Sequence, residues 1–159
     1  MTADEVIARY GLSPHPEGGY YREVYRSGRG LGVPPGYPGE RVALTAILYL
    51  LARGQVSVLH RVRSEEVWAH LAGAPLELAV LGPPVRVLRL GGPPGPGEPV
   101  AVVPAGAVQG ARSLGDWTLV SCIVAPGFEF EDFEIPARRD LLDRFPGARD
   151  LVLSYTRAG

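Results

Sequence analysis

Fourteen residues of this chain, "HRVRSEEVWAHLAG" from His60 to Gly73, hold two of its three histidines, two glutamates and one of its two tryptophans. A carboxylate beside an imidazole raises the imidazole pKa and orients the ring, which is what a general acid–base pair requires. The same two groups can act as ligands of a divalent metal. A third reading is the polar side of an ordinary strand pair. Residues two apart in a strand share a face, so Glu66, Trp68 and His70 line one face and Val67, Ala69 and Leu71 the other. With the polar face outward, Trp68 would be an exposed indole. Turned inward, a carboxylate and an imidazole enter the interior, which is costly unless they are paired or hydrogen-bonded. A closed barrel around a ligand cavity accommodates both, because its interior is partly wet. The tight connection "RVRSE" predicts a hairpin that brings His60 near Glu66.

The elements that must position this cluster are short. "MTADEVIARYG" reads as a helix with Thr2 and Glu5 as a capping box and Gly11 ending it. "YYREVYR" (20–26) alternates like a strand, and "SGRGLGVPPGYPGE" (27–40) is a long glycine- and proline-rich loop. Further strands are expected at 43–51, 55–60, 66–71, 76–81, 86–90, 100–103, 107–110 and 118–124. Pieces this short, at this spacing, predict an all-β sandwich or barrel. "FEFEDFE" (128–134) has the alternation of an edge strand whose charges guard against aggregation, and "PARRDLLDRFPG" (136–147) reads as a closing helix. One domain is expected over 1–159, with the barrel at about 18–134 and the closing helix at 136–146.

Composition excludes more than it proposes. A net charge of −1 gives no electrostatic reason to expect nucleic acid or an anionic membrane as partner. No apolar run is long enough to span a bilayer. The N-terminus lacks a secretory pattern, and the one cysteine, Cys122, excludes an internal disulfide; a cytoplasmic location is expected. All 16 basic residues are arginine, so lysine Schiff-base chemistry and a P-loop are out.

Two blocks carry a resemblance. "GQVSVLHRVRSEEVWAHLAG" follows the first cupin motif, G-x5-H-x-H-x3-E-x6-G, with Gly54, His60, Glu66 and Gly73 in place and Val62 where the second His stands. "EPVAVVPAGAVQGARS" resembles the second motif, with Pro104 and Gly106 in place, Gln109 replacing the His and Ser113 the Asn. With "PHPEGGYYREVYRS" and "VAPGFEFEDFE", the chain resembles the Cupin_5 (DUF985) family. That resemblance implies a double-stranded β-helix, a jelly-roll barrel with short N-terminal and C-terminal helices, paired as a homodimer. It implies no settled reaction.

Metal-binding cupins use three His and one Glu. Here His60, Glu66 and Gln109 would be the ligands of a degenerate site, a poor set for tight binding of a transition metal. No cofactor is therefore expected, a divalent metal being the weaker alternative. Metal-free cupin epimerases imply another arrangement, with His60 as base, Glu66 its orienter and Tyr49 the acid. Trp68 would wall the ligand, with Gln109, His70 and Arg22 as further contacts. The favoured reading is a small-molecule site for a sugar-like or carboxylate compound, with isomerase or epimerase chemistry. A non-catalytic binding module and a metal-dependent oxygenase or hydrolase are the alternatives. His15 is expected to be a loop residue, the glycines of "PEGG" to serve backbone geometry, and Cys122 to pack as a small hydrophobe.

Overall fold

The computed structural model describes residues 1–158. The first helix, α1 (Ala3–Tyr10), begins as its residues require. Glu5 N–H donates to Thr2 Oγ1 at 3.2 Å and Thr2 N–H donates back to Glu5 Oε2 at 2.7 Å. Gly11 closes the helix in the left-handed region at φ 63°.

Eleven strands follow among the described residues: β1 (Ser13–Pro14), β2 (Tyr20–Arg26), β3 (Thr45–Ala52), β4 (Val56–Val62), β5 (Glu65–Gly73), β6 (Leu76–Leu81), β7 (Arg86–Leu90), β8 (Val100–Val103), β9 (Val108–Ser113), β10 (Trp117–Ala125) and β11 (Phe133–Glu134). They form two antiparallel sheets, ordered β1-β2-β3-β10-β5-β8 and β11-β4-β9-β6-β7. The inner faces bury one core that includes Leu51, Leu78, Val80, Val103 and Val120. The outer face of the larger sheet is partly covered by α1, with Val6 and Leu12 against Leu50 and Leu119. The outer face of the smaller sheet is covered from the C-terminus by α2 (Arg138–Arg144) and α3 (Arg149–Ser154), which bury Leu141, Val152 and Tyr155 against Leu59, Leu81 and Val108.

Three expectations are revised. First, β4 and β5 do not form a hairpin: they lie in different sheets, and the connection at Arg63–Ser64 crosses from one layer to the other. His60 and Glu66 therefore approach across the barrel interior, not along a ladder. Second, the closing helix ends at Arg144, and Pro146 opens a 3-10 turn leading to a further helix, α3. Third, "FEFEDFE" is a strand only at Phe133–Glu134, on the edge beside β4; Phe130–Asp132 is a 3-10 turn. Its Asp132 is buried because Arg41 holds it with two hydrogen bonds, Nε to Oδ2 at 2.8 Å and Nη2 to Oδ1 at 2.9 Å, and Arg63 adds a third at 3.2 Å. That cluster, with the Tyr37 hydroxyl 2.8 Å from Ser64 Oγ, pins the 27–40 loop across one end of the barrel.

Candidate functional site

At that end lies a chamber between the sheets with about 30 Å³ of free volume. Its polar lining is His15, Glu17, Thr45, His60, Glu66 and Cys122; its apolar walls are Tyr21, Ile47, Val62, Val124, Phe128 and Phe133. No arginine lines it among the described residues.

His60 and Glu66 come from facing sheets because the inward positions of β4 and β5 meet there. His60 Nδ1 lies 2.8 Å from the Val58 carbonyl, so Nδ1 carries the proton and Nε2 is the bare nitrogen. The ring stacks on Phe133 at 5.4 Å between centroids. Burial lowers the His60 pKa, with the nearby Glu66 charge opposing; the imidazole is neutral at pH 7. Glu66 Oε1 accepts from Gln109 Nε2 at 3.0 Å, and burial raises its pKa to about 7, against the pull of His60.

The group that touches His60 is Glu17, whose Oε2 lies 3.2 Å from Nδ1. Glu17 enters the barrel on a tight turn, 15–19. The Glu17 carbonyl accepts from Val58 N–H of β4 at 2.8 Å, and Gly19 O accepts from His15 N–H at 3.0 Å. Both glycines are required. A Cβ on Gly18 (φ 106°) would sit 2.1 Å from the Val56 carbonyl oxygen, and one on Gly19 (φ 75°) 2.6 Å from that of Leu50. Ser57 Oγ–H also donates to Glu17 Oε2. Burial raises the Glu17 pKa to about 8 and lowers that of His15 to about 4, the charge of His60 adding to the latter. The His15–Glu17 and His60–Glu17 side-chain contacts are thus contacts between neutral groups at pH 7, not ion pairs.

The other expected contacts are placed elsewhere. Tyr49 is buried behind the chamber, its hydroxyl donating to the Gly18 carbonyl at 2.5 Å; with its pKa raised well above 10 by burial, it is a support of the turn and not an exposed acid. Trp68 is also behind the wall, edge-on to Tyr49 and donating Nε1–H to Gln109 Oε1 at 2.8 Å. Gln109 is used at both ends, by Trp68 and Glu66, and does not line the chamber. His70 lies four residues beyond Glu66 along β5 and does not line the chamber, with Nε2 3.0 Å from Ala74 O. Arg22 is exposed on β2 and does not reach the chamber. His15, read as a loop residue, is instead central, and so is Glu17. The signal available was two titratable residues immediately before paired glycines, the pattern of a turn forced close to other backbone.

The donor set does not fit a cupin metal. Val62 occupies the second His position and lines the chamber as an apolar wall, Gln109 is engaged, and no group of three His, Cys, Asp or Glu side chains among the described residues is arranged to hold an ion.

Two antiparallel sheets closed around an inner chamber define a double-stranded β-helix, the cupin fold. The family model described as Cupin superfamily (DUF985) matches residues 4–136, and the chain belongs to that family, Cupin_5. A protein from Shewanella oneidensis is 34% identical with a TM-score of 0.89, over 100% of this chain and 99% of that one. A hypothetical protein from Leishmania major is 35% identical with a TM-score of 0.90, over 99% and 100%. A cupin-2 domain from Rhodospirillum rubrum shares the fold at 17% identity, with a TM-score of 0.60 over 90% and 82%. None of the curated proteins matches the chain. No helix among the described residues is long and apolar enough to cross a membrane.

Proposed function

We propose that the chamber binds a small molecule and that His60 and Glu66 exchange a proton with it, as in an isomerase or epimerase. One observation carries this reading. A closed, mostly apolar space holds a neutral imidazole with a bare Nε2 and a carboxyl whose pKa of about 7 lets it give or take a proton at neutral pH. His60 Nε2 is the base that removes a proton from carbon beside a carbonyl, and Glu66 is the partner that supplies or receives one. Orientation of His60 comes from the Val58 carbonyl and Glu17, not from Glu66.

The test is hydrogen exchange at carbon. The wild type, His60→Ala and Glu66→Gln are incubated in D2O with a panel of small sugars and carbonyl compounds, and proton NMR follows loss of C–H signal. Wild type should exchange a ligand that both variants still bind in thermal-shift assays but do not exchange. Binding with no exchange in any form would leave a non-catalytic binding module. A homodimer is proposed as the assembly, supported by Leu71, Val100 and Val102, each about half exposed on the outer face of β5 and β8 beyond the cover of α1. Val102→Glu should then give monomer in sedimentation velocity where the wild type gives dimer.

A further inference from the structure

Glu17 has two oxygens and two imidazoles. Oε1 lies 3.3 Å from His15 Nδ1 and Oε2 lies 3.2 Å from His60 Nδ1. The two rings are not equivalent. His15 Nδ1 already accepts the Glu17 backbone N–H at 3.1 Å, so it carries a lone pair and no proton. A neutral imidazole with a bare Nδ1 has its proton on Nε2. Glu17 Oε1 therefore faces a lone pair, and the contact is attractive only if Oε1 carries the proton. On the other side, Oε2 accepts from Ser57 Oγ–H and faces the His60 Nδ1–H that donates to the Val58 carbonyl. The single lone pair of His15 Nδ1 is then shared by two donors, the Glu17 backbone N–H and Oε1–H.

From this geometry we infer that Glu17 is a neutral carboxylic acid between two histidines of opposite tautomer, so that the chamber presents one N–H donor, His15 Nε2, and one bare acceptor, His60 Nε2, and takes a small uncharged ligand with carbonyl and hydroxyl oxygens. The carbonyl accepts from His15 and the hydroxyl donates to His60. Both rings line the chamber, and the hydrogen bonds of each ring run from its Nδ1. A charged carboxylate ligand is disfavoured: no cation lines the walls, and an unpaired anion would be buried against Phe128 and Phe133. The sugar-like or carboxylate class expected from the sequence narrows to its uncharged members. This rests on reading the chamber as a ligand site, and it makes Glu17 a positioning residue.

Two measurements test it. Long-range 1H–15N NMR of the histidine side chains, on ligand-free protein at pH 7, should show His15 as the Nε2–H tautomer and His60 as the Nδ1–H tautomer. Glu17→Gln, which mimics the neutral acid, should keep both tautomers. An imidazole protonated on both nitrogens, or tautomers lost in Glu17→Gln, overturns the assignment. Thermal shift then compares hydroxyacetone with pyruvate, similar in size but of different charge. Hydroxyacetone at millimolar concentration should raise Tm by about a degree or more and pyruvate should not. No shift with either, or an equal shift with pyruvate, overturns the ligand class. Hydroxyacetone that binds without exchanging its carbon-bound hydrogens in D2O sinks the proton-transfer reading alone.

Discussion

Replacing Glu17 by Gln should change how stability depends on pH in a direction set by the buried groups. In the folded chain Glu17 keeps its proton to about pH 8 and Glu66 to about pH 7, while both ionise near 4.5 once unfolded. The histidines run the other way: His15 stays neutral down to about pH 4 and His60 below its ordinary 6.5. A raised carboxyl pKa contributes stability at low pH that is lost as pH rises, at about 1.4 kcal/mol per pH unit per group. A lowered imidazole pKa contributes stability above 6.5 that is lost on acidification. Below pH 6.5 the histidines oppose the glutamates, so stability should fall less steeply with pH there than above 6.5. Above 6.5 only the glutamates act. From pH 6.5 to 8, Glu17 loses about 2 kcal/mol and Glu66 somewhat under 1 kcal/mol. Glu17→Gln removes the first contribution, so the decline should shrink from about 3 to about 1 kcal/mol. In the variant, stability should also climb with pH below 6.5, where one glutamate no longer offsets two histidines. Urea unfolding at half-unit pH steps, followed by tryptophan fluorescence, measures both curves. Parallel curves for the two proteins would refute the argument, because they would mean that Glu17 ionises in the folded state as it does in the unfolded one.

Other outcomes follow from the same contacts. Arg41→Ala leaves the buried Asp132 carboxylate with only Arg63, and should cost about 3–5 kcal/mol in urea titrations. It should also speed amide exchange at Leu31, whose N–H donates to the Arg41 carbonyl. Gln109→Leu strips the acceptor from Trp68 and the donor from Glu66, so stability should fall by about 2–3 kcal/mol. The Glu66 pKa should rise further, read by carboxyl 13C NMR, because the lost donor favoured the ionised form. Dialysis against manganese, nickel and zinc followed by elemental mass spectrometry should leave well under one ion per chain; a stoichiometric ion lost in His60→Ala/Glu66→Ala would contradict the reading that this donor set does not fit a cupin metal.

Much of the frame was legible because it depends on local chemistry. The capping box of α1, the alternation of β2, and the bounds of β6, β7 and β8 follow from residue types over a few positions, and the structure places them where those patterns do. His60 and Glu66 could also be found by type and spacing. Their relation could not. Five residues between them read as a hairpin, but whether a connection turns back along one sheet or crosses to the other depends on which strands claim the ladder partners. Here β10 and β8 take both edges of β5, while β9 and β11 take those of β4.

The role of the "PHPEGG" segment is the larger case. Local propensity makes it a surface turn, and its histidine and glutamate would be solvated there. Only the tertiary structure brings Val56, Val58 and Leu50 against that backbone, which excludes any side chain at Gly18 and Gly19 and draws Glu17 between the sheets. Burial then shifts the proton equilibria of Glu17, His15, His60 and Glu66, and desolvation is a property of the packed environment that no run of residues encodes by itself. The sequence determined the strands, the caps and two of the four titratable groups that meet in the chamber. The tertiary structure decided which groups meet, which of them hold protons, and that Trp68, Gln109 and Tyr49 support the site from behind its wall.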